Sequence, residues 1–284
     1  MNPKALVSVV MITYAHEKYI REAVNGVLMQ SCDFDVELVI VNDCSPDQTD
    51  IIVHDIMNHH PNGKWIKYIK HETNIGMMPN FIFALNQAKG KYIALCEGDD
   101  YWTDPYKLQK QVDFLEKNPD YNICGHSVAC TKYNQFLEKK LLLKQDTVYS
   151  LKEVVQSNPI HTSSFCFINN FDFNDKIYLD SILDMEIGDY PLLVLFAQSN
   201  GVFVFKDVMS VYRIDNQESV WTGQLNLDNQ KKMMERTIRT MTVSPFYNKV
   251  AKKYLKEKLK NKNPSYLRKA VLKIYKTLKI LLRN

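Results

Sequence analysis

Residues 6–42 read LVSVVMITYAHEKYIREAVNGVLMQSCDFDVELVIVN, and this stretch decides the fold. Its first part, 6–14, is an apolar run rich in β-branched residues, and the run is too continuous for a strand with only one buried face. Residues 17–29 then place apolar side chains at helical spacing, and 37–41 form a second apolar run. This order predicts two parallel strands joined by a crossover helix.

The same alternation continues beyond this unit. It predicts a helix that starts near Pro46, a strand at 65–69, a helix at 80–88, a strand at 91–96 and a helix from 104 to 117. Further along, we expect extended segments at 121–133 and 162–168, a helix at 190–198, a strand at 201–206 and helical structure over 226–260. The sequence therefore predicts an α/β fold, with a mostly parallel, Rossmann-like sheet flanked by helices and a C-terminal helical extension.

The charge of the chain is divided unevenly. The net charge is +4, but residues 249–284 contain 13 Lys and Arg residues against 1 acidic residue, and residues 1–248 contain 23 against 31. An acidic body with a basic tail predicts different partners for the two parts. Nucleic acid is disfavoured, because the body is acidic and no interleaved aromatic platform is present.

The 6 cysteines show no metal-finger spacing and no CxxC pair. With no charged-then-apolar leader, this usage indicates a reducing, cytoplasmic compartment. No apolar stretch reaches the roughly 20 residues that a membrane-spanning helix needs.

Polar and acidic residues follow three of the predicted strands. They are Thr13-Tyr14 after the first, Asn42-Asp43 after the second and Glu97-Gly98-Asp99-Asp100 after the fourth. We expect them to meet, because open sheets bind ligands beyond the carboxyl ends of their strands. Carboxylates at such an edge suit a hard divalent cation, Mn²⁺ or Mg²⁺, although a solvated acidic turn is the alternative for this motif taken alone.

Four segments in this order resemble glycosyltransferase family 2, whose fold is the nucleotide-binding GT-A fold. They are VSVVMITYAHEKYIREAVNGVLMQ at 7–30, ELVIVNDCSPDQT at 37–49, NIGMMPNFIFALNQAKGKYIALCEGDDYW at 74–102 and GDYPLLVLFAQSNGVFVFKDVMSVYRI at 188–214. The resemblance implies that Tyr14 stacks on the donor's base, that Asp43 hydrogen-bonds the base and that Asp99 holds the metal. It implies that Asp189 is the catalytic base. The donor-binding residues are then Thr13, Tyr14, Glu17, Asp43, Glu97, Gly98 and Asp99.

The chain departs from the family pattern at four positions. Asn42 and Gly188 stand where the family has acidic residues, and Ala15 stands where it has Asn. Glu97 occupies the first position of the DxD motif, and its longer side chain could reach the ribose or a metal-bound water instead of the ion.

Four further residues are weaker candidates for an acceptor or lid role. His161 and Thr162 lead into an apolar run and could border the acceptor, although a lone His near a strand start is more often structural. Arg213 could meet phosphate. Trp221 could belong to a lid, or could be a packed aromatic. Asp189 could also cap the helix that follows it, and capping is compatible with a catalytic role.

We divide the chain into a transferase domain at 1–222 and a helical, basic extension at 223–284. Residues 264–284 show a basic amphipathic pattern that suits an anionic membrane surface, at the inner face of the cell membrane. Docking on the protein's own core, self-association into a homo-oligomer through the C-terminal helices, and a solvated helix are the alternatives.

The resulting hypothesis is an inverting, metal-dependent glycosyltransferase of cell-surface polysaccharide synthesis. It would move a sugar from a nucleotide-sugar donor, a UDP-sugar, to a hydroxyl of a glycan or polyprenol-linked acceptor. Two alternatives stay open: a non-catalytic nucleotide-sugar-binding or membrane scaffold protein, and a nucleotidyltransferase of related fold. The latter would need a glycine-rich, basic phosphate loop after the first strand, which ITYAHEK lacks.

Overall fold

The computed structural model describes residues 6–132, 135–183, 185, 187–214 and 227–260. Its first half is a regular alternation of strands and helices. The elements are β1 (Val7–Thr13), α1 (Ile20–Leu28), β2 (Val36–Asn42), α2 (Thr49–His59), β3 (Ile66–Lys70), α3 (Met77–Asn86) and β4 (Tyr92–Leu95). Strand β1 pairs in parallel with both β2 and β4, and β2 pairs in parallel with β3. The predicted parallel unit is therefore present.

The second half is less regular. Its strands are β5 (Tyr101–Trp102), β6 (Ile123–Lys132), β7 (Gln135–Leu141), β8 (Thr147–Tyr149), β9 (Cys166–Ile168) and β10 (Val202–Arg213). Its helices are α4 (Lys107–Lys117), α5 (Leu151–Ser157), α6 (Lys176–Ile182), α7 (Asp189–Phe196), α8 (Leu227–Val243) and α9 (Lys249–Lys260). Two short 3₁₀ turns lie at Gly63–Trp65 and Thr162–Ser164.

The described strands form one sheet in the order β3-β2-β1-β4-β9-β6-β10-β5, with β7 added to β6 and β8 to β10. Strand β9 runs antiparallel to β4 and β6, and β5 runs antiparallel to β10, whereas β10 and β6 are parallel. The parallel character thus belongs mainly to the first four strands, and the second half makes the sheet mixed.

Helices cover both faces of the sheet, as predicted. The side chains of β1 alternate: Val7, Val9 and Met11 belong to an apolar cluster with α1, whereas Val10 belongs to a second cluster with α3 and α7. This alternation is the period of two that an extended strand imposes. Both faces of β1 are buried, which explains its continuous apolar sequence.

The C-terminal helices α8 and α9 pack into the second apolar cluster. Met233 and Met241 of α8 and Ala251 and Leu255 of α9 are all buried there. Burying one methionine or leucine side chain in this way stabilises the fold by about 1.5–3 kcal/mol. The segment expected to be helical over 226–260 is broken between the two helices at residues 244–248, around Pro245. The division at 222/223 stays a prediction, because 215–226 lie outside the described residues.

Candidate active site

The carboxyl ends of β1, β2 and β4 meet at one edge of the sheet, as the sequence predicted. Two backbone hydrogen bonds join these ends. The N–H of Asp43 donates to the carbonyl of Thr13 at 2.9 Å, and the N–H of Gly98 donates to the carbonyl of Ile12 at 3.1 Å. The three polar segments that follow these strands are therefore neighbours in space.

The loop after β1 presents an aromatic ring to solvent. The side chain of Tyr14 is 43% exposed, which leaves its face open to a flat ligand. The next residue, Ala15, has a φ of +57°, a left-handed conformation that side chains other than Asn and Asp seldom adopt. Its N–H donates to Ser45 Oγ at 3.0 Å, so the neighbouring loop after β2 holds this turn in place.

Two residues that are predicted to bind the nucleotide-sugar donor also hold loops together by accepting hydrogen bonds. Asp43 is 3% exposed, and its two carboxylate oxygens accept from the N–H groups of Ile75 at 2.7 Å and Gly76 at 3.0 Å. Glu17 accepts from the N–H of Gln48 at 3.0 Å. These bonds fix the loops before α3 and α2. Contact of either carboxylate with a nucleotide-sugar donor stays a prediction.

Several carboxylates cluster after β4, and a buried cation, Arg213, contacts the loop that carries them. Burial, together with the charges of Asp99 and Asp189, raises the pKa of Glu97. Burial and the neighbouring Asp99 and Glu97 charges also raise the pKa of Asp100 well above its usual range. Because the negative charges of both Asp99 and Asp189 act on the pKa of Glu97, the three carboxyl groups interact electrostatically.

Asp100 was part of the predicted motif, but the sequence assigned it no role. It is fully buried; its Oδ1 accepts from the N–H of Arg213 at 3.1 Å, and its Oδ2 has no hydrogen-bond partner among the described residues. The Nδ1 of His161 lies 3.6 Å from Oδ2, but burial lowers the pKa of His161 to about 4, so its ring brings no positive charge near pH 7. A buried carboxylate oxygen without a partner is costly, so this cluster suits a nearby cation.

A cation would have few protein ligands in this arrangement. The part of the chain that the structure describes contains no group of three His, Cys, Asp or Glu side chains placed to hold a metal ion. Mg²⁺-type ions often bind one or two carboxylates and take their other ligands from water and substrate phosphates. The carboxylate-rich loop with Asp99 fits that mode of binding.

Arg213 secures the acidic loop from below. It is 4% exposed, donates through Nη1 to the carbonyl of Asp99 at 2.6 Å and pairs through Nη2 with Glu22 of α1. Its guanidinium also lies 4.4 Å from the ring centre of Tyr101. These contacts give Arg213 a role in holding the loop that carries Asp99, and its predicted contact with phosphate stays a prediction.

Asp189 is the first residue of α7 and lies beside the turn Thr162–Ser164. Its Oδ1 accepts from the N–H of Tyr190 at 2.7 Å, and its Oδ2 accepts from Thr162 Oγ1 at 3.2 Å. Burial raises the pKa of Asp189. A carboxyl group with a raised pKa at a site is suited to accept a proton.

His161 lies on the same turn as Thr162. Its ring packs against Tyr212 with centroids 4.0 Å apart, and burial lowers its pKa to about 4. The turn therefore contacts the acidic loop through His161, and it contacts Asp189 through Thr162. Trp102, which directly follows the acidic loop, is 2% exposed. Trp221 and the 264–284 segment lie outside the described residues.

Comparison with known proteins matches residues 8–177 to the family model described as Glycosyl transferase family 2. An uncharacterized protein of Mycobacterium tuberculosis is 35% identical over 72% of this chain, and this match spans 58% of the relative's own length. The putative teichuronic acid biosynthesis glycosyltransferase TuaG of Bacillus subtilis is 35% identical over 45% of this chain and 49% of its own.

Two solved structures share the fold at low sequence identity. Residues 1–349 of S. aureus TarS, in complex with UDP-GlcNAc, match with a TM-score of 0.64 and 19% identity, covering 92% of this chain and 75% of that 1–349 chain. The mannosyltransferase PcManGT of Pyrobaculum calidifontis, in complex with GDP-Man and Mn²⁺, has a TM-score of 0.65 and 18% identity, covering 95% of this chain and 74% of that chain.

Proposed function

The chain belongs to glycosyl transferase family 2 and has the GT-A fold, and on this basis we propose that it is an inverting transferase acting with a nucleotide-sugar donor. The proposed acceptor is a hydroxyl of a glycan or lipid-linked intermediate in cell-surface polysaccharide synthesis. One observation carries the proposal: the turn at 161–164 touches both halves of the site. His161 Nδ1 lies 3.6 Å from Asp100 Oδ2, and Thr162 Oγ1 lies 3.2 Å from Asp189 Oδ2.

In the proposed reaction, Asp189 accepts the proton of the acceptor hydroxyl. The oxygen attacks the anomeric carbon, a new glycosidic bond forms, and the bond from that carbon to the diphosphate oxygen breaks. The nucleoside diphosphate leaves on the face opposite the attack, so the configuration inverts. A divalent cation on Asp99, when bound, would supply positive charge for the diphosphate. Glu97 would lie beside the donor, and Arg213 holds the loop that carries Asp99.

The donor would lie along the edge formed by Thr13, Tyr14, Asp43, Glu97 and Gly98, with its base on the exposed Tyr14 ring. UDP is our proposal for the nucleotide, supported by the UDP-GlcNAc complex of TarS. The Mn²⁺ complex of PcManGT supports the proposed cation. The name of TuaG supports a polysaccharide acceptor.

The experiment compares Asp99→Ala and Asp189→Asn with the wild-type protein. UDP release is followed with a panel of UDP-sugars and Mn²⁺, and donor affinity is measured by calorimetry. We expect Asp99→Ala to lose metal-dependent turnover, and Asp189→Asn to bind donor normally while transfer stops, because an amide cannot take the proton. Asp113→Asn, at a half-exposed site on α4, is the matched control.

Two outcomes would redirect the proposal. Full transfer activity in Asp189→Asn would remove that residue as the base. Tight binding of UDP-sugars by the wild-type protein without turnover on any acceptor would favour a non-catalytic nucleotide-sugar-binding protein.

A peripheral membrane location is also part of the proposal. Helix α9 buries Ala251 and Leu255 in the core and exposes Lys249, Lys253 and Lys256 to solvent. Its basic face leads into the basic amphipathic sequence at 264–284, so both would favour an anionic surface. No helix among the described residues is long and apolar enough to cross a bilayer. Self-association through the C-terminal helices stays a prediction.

A further inference from the structure

The 3₁₀ turn Thr162–Ser164 is held from behind by buried side chains of two other elements. Trp102 of β5 donates through Nε1 to the carbonyl of Ser163 at 3.1 Å. Gln111 of α4 donates through Nε2 to the carbonyl of Ser164 at 2.8 Å. Gln111, Ser163 and Ser164 are fully buried, and Trp102 is 2% exposed. The back of the turn is therefore fixed by directional bonds in the interior.

A buried lysine contacts both Trp102 and Gln111, the two side chains that donate hydrogen bonds to the turn. Lys107 is fully buried, donates through Nζ to Gln111 Oε1 at 2.7 Å and lies 3.8 Å from the ring centre of Trp102. Burial lowers its pKa to about 8. A buried ammonium group is costly unless its contacts are good, and here they consist of one hydrogen bond and one aromatic face. The lysine thereby fixes the two side chains that fix the turn.

The front of the turn faces the carboxylates of the site. Thr162 Oγ1 donates to Asp189 Oδ2, and His161 Nδ1 lies 3.6 Å from Asp100 Oδ2. Trp102 belongs to the strand that directly follows the acidic loop 97–100. The turn is thus a rigid spacer between the loop proposed to hold the leaving group and the carboxylate proposed to receive the proton.

We propose that Thr162 is a positioning residue for Asp189, and that Trp102, Gln111 and Lys107 hold the turn that presents it. This inference rests on the proposed function. The N–H of Tyr190 and the hydroxyl of Thr162 bind different oxygens of the Asp189 carboxylate, so together they set its rotation. One lone pair of Oδ2 then stays directed toward an acceptor. Displacement is most effective when the base and the leaving group hold a fixed relation, and a misplacement of about 1 Å can cost about 10²-fold in rate.

The test is Thr162→Val, which keeps the shape of the side chain and removes the hydroxyl. We expect kcat for transfer to fall by about 10- to 100-fold, with donor affinity and melting temperature close to wild type. Because the bond from Thr162 lowers the pKa of Asp189, its loss raises that pKa, and the acid limb of the kcat–pH profile moves to higher pH. A purely structural threonine would not move this limb.

Three variants complete the experiment. Thr162→Ser restores the hydroxyl and should recover most of kcat. Trp102→Phe removes the Nε1 donor but keeps a ring beside Lys107. It should lower kcat by a smaller factor than Thr162→Val does. Thr147→Val, in β8, removes a hydroxyl that bonds only its own segment, at the carbonyl of Gln145, and should behave as wild type.

The outcomes separate this inference from the function on which it rests. If Asp189→Asn abolishes transfer but Thr162→Val leaves kcat unchanged, the inference is overturned and the proposed function stands. If Thr162→Val lowers melting temperature and donor affinity together, and Thr162→Ser does not recover kcat, Thr162 is structural and the inference is again overturned. If Asp189→Asn is fully active, the proposed base is wrong, whatever Thr162→Val does.

Discussion

Gly98, in the middle of the acidic motif, is packed so closely that even a methyl group should disturb the site. A Cβ at this position would lie 2.8 Å from His16 Nδ1, 2.9 Å from Thr13 Oγ1 and 3.0 Å from Thr13 Cβ. Non-bonded heavy atoms prefer about 3.5–4.0 Å. In Gly98→Ala, either the side chains of Thr13 and His16 or the acidic loop must therefore move by roughly half an ångström or more.

The expected cost has two parts. Overpacking of this kind destabilises a fold by about 1–3 kcal/mol. Activity should fall further, because the displaced loop carries Asp99, and a shift of about 1 Å at reacting groups costs about 10²-fold. We therefore expect a fall of about tenfold or more in kcat/KM for UDP release, together with a measurable decrease in the urea midpoint of unfolding.

A double-mutant cycle tests the steric cause. His16→Ala removes the closest contact, so Gly98→Ala/His16→Ala should be more active and more stable than the two single effects predict. A coupling free energy of about 0.5 kcal/mol or more is expected for groups in contact. Wild-type activity and stability in Gly98→Ala, or strictly additive effects in the double variant, would refute the reasoning.

Two further predictions concern the support of the acidic loop and the basic tail. Arg213→Gln should destabilise the protein by about 2–3 kcal/mol and weaken Mn²⁺ activation, because the carbonyl of Asp99 loses a charged hydrogen-bond donor and the Tyr101 ring loses its cation. Urea unfolding measures the loss of stability, and titration with Mn²⁺ measures the activation. An unchanged Mn²⁺ dependence would contradict this prediction. Deleting residues after Asn263 should reduce sedimentation with anionic vesicles in low salt, since each basic residue near such a surface contributes about 1 kcal/mol. Equal sedimentation of both proteins would reject the tail as a membrane anchor.

Local patterns in the sequence were enough to predict most of the first half of the fold. The apolar runs that became β1 and β2, and the helical spacing that became α1, are patterns of adjacent residues. Burial on both faces of a strand and on one stripe of a helix writes such periods directly into the chain. The acidic motif after β4 could be located for the same reason, since it follows a recognisable strand.

Some local signals were present and were overlooked. Helix α5 begins with a capping box, in which Ser150 and Glu153 bond each other's backbone N–H groups, and this S-x-x-E pattern is readable from the sequence.

Other elements carry no readable pattern. Strand β5 has two residues, Tyr101 and Trp102, and β8 has three, which is too few for a period to show. The break between α8 and α9 falls at Pro245, where the missing N–H and the fixed ring disfavour a continuous helix.

By itself, the sequence determined the parallel β–α core, the strand ends where polar residues gather and the family that supplies candidate roles for Tyr14, Asp99 and Asp189. Only the tertiary structure decided what holds those residues: Arg213 pairs with Glu22, 191 positions earlier, and Thr162 binds Asp189, 27 positions later. Local periodicity records whether a side chain is buried, but not which distant side chain it meets. Such pairings arise only when loops close and the sheet brings separate segments into contact, so no window of neighbouring residues contains them.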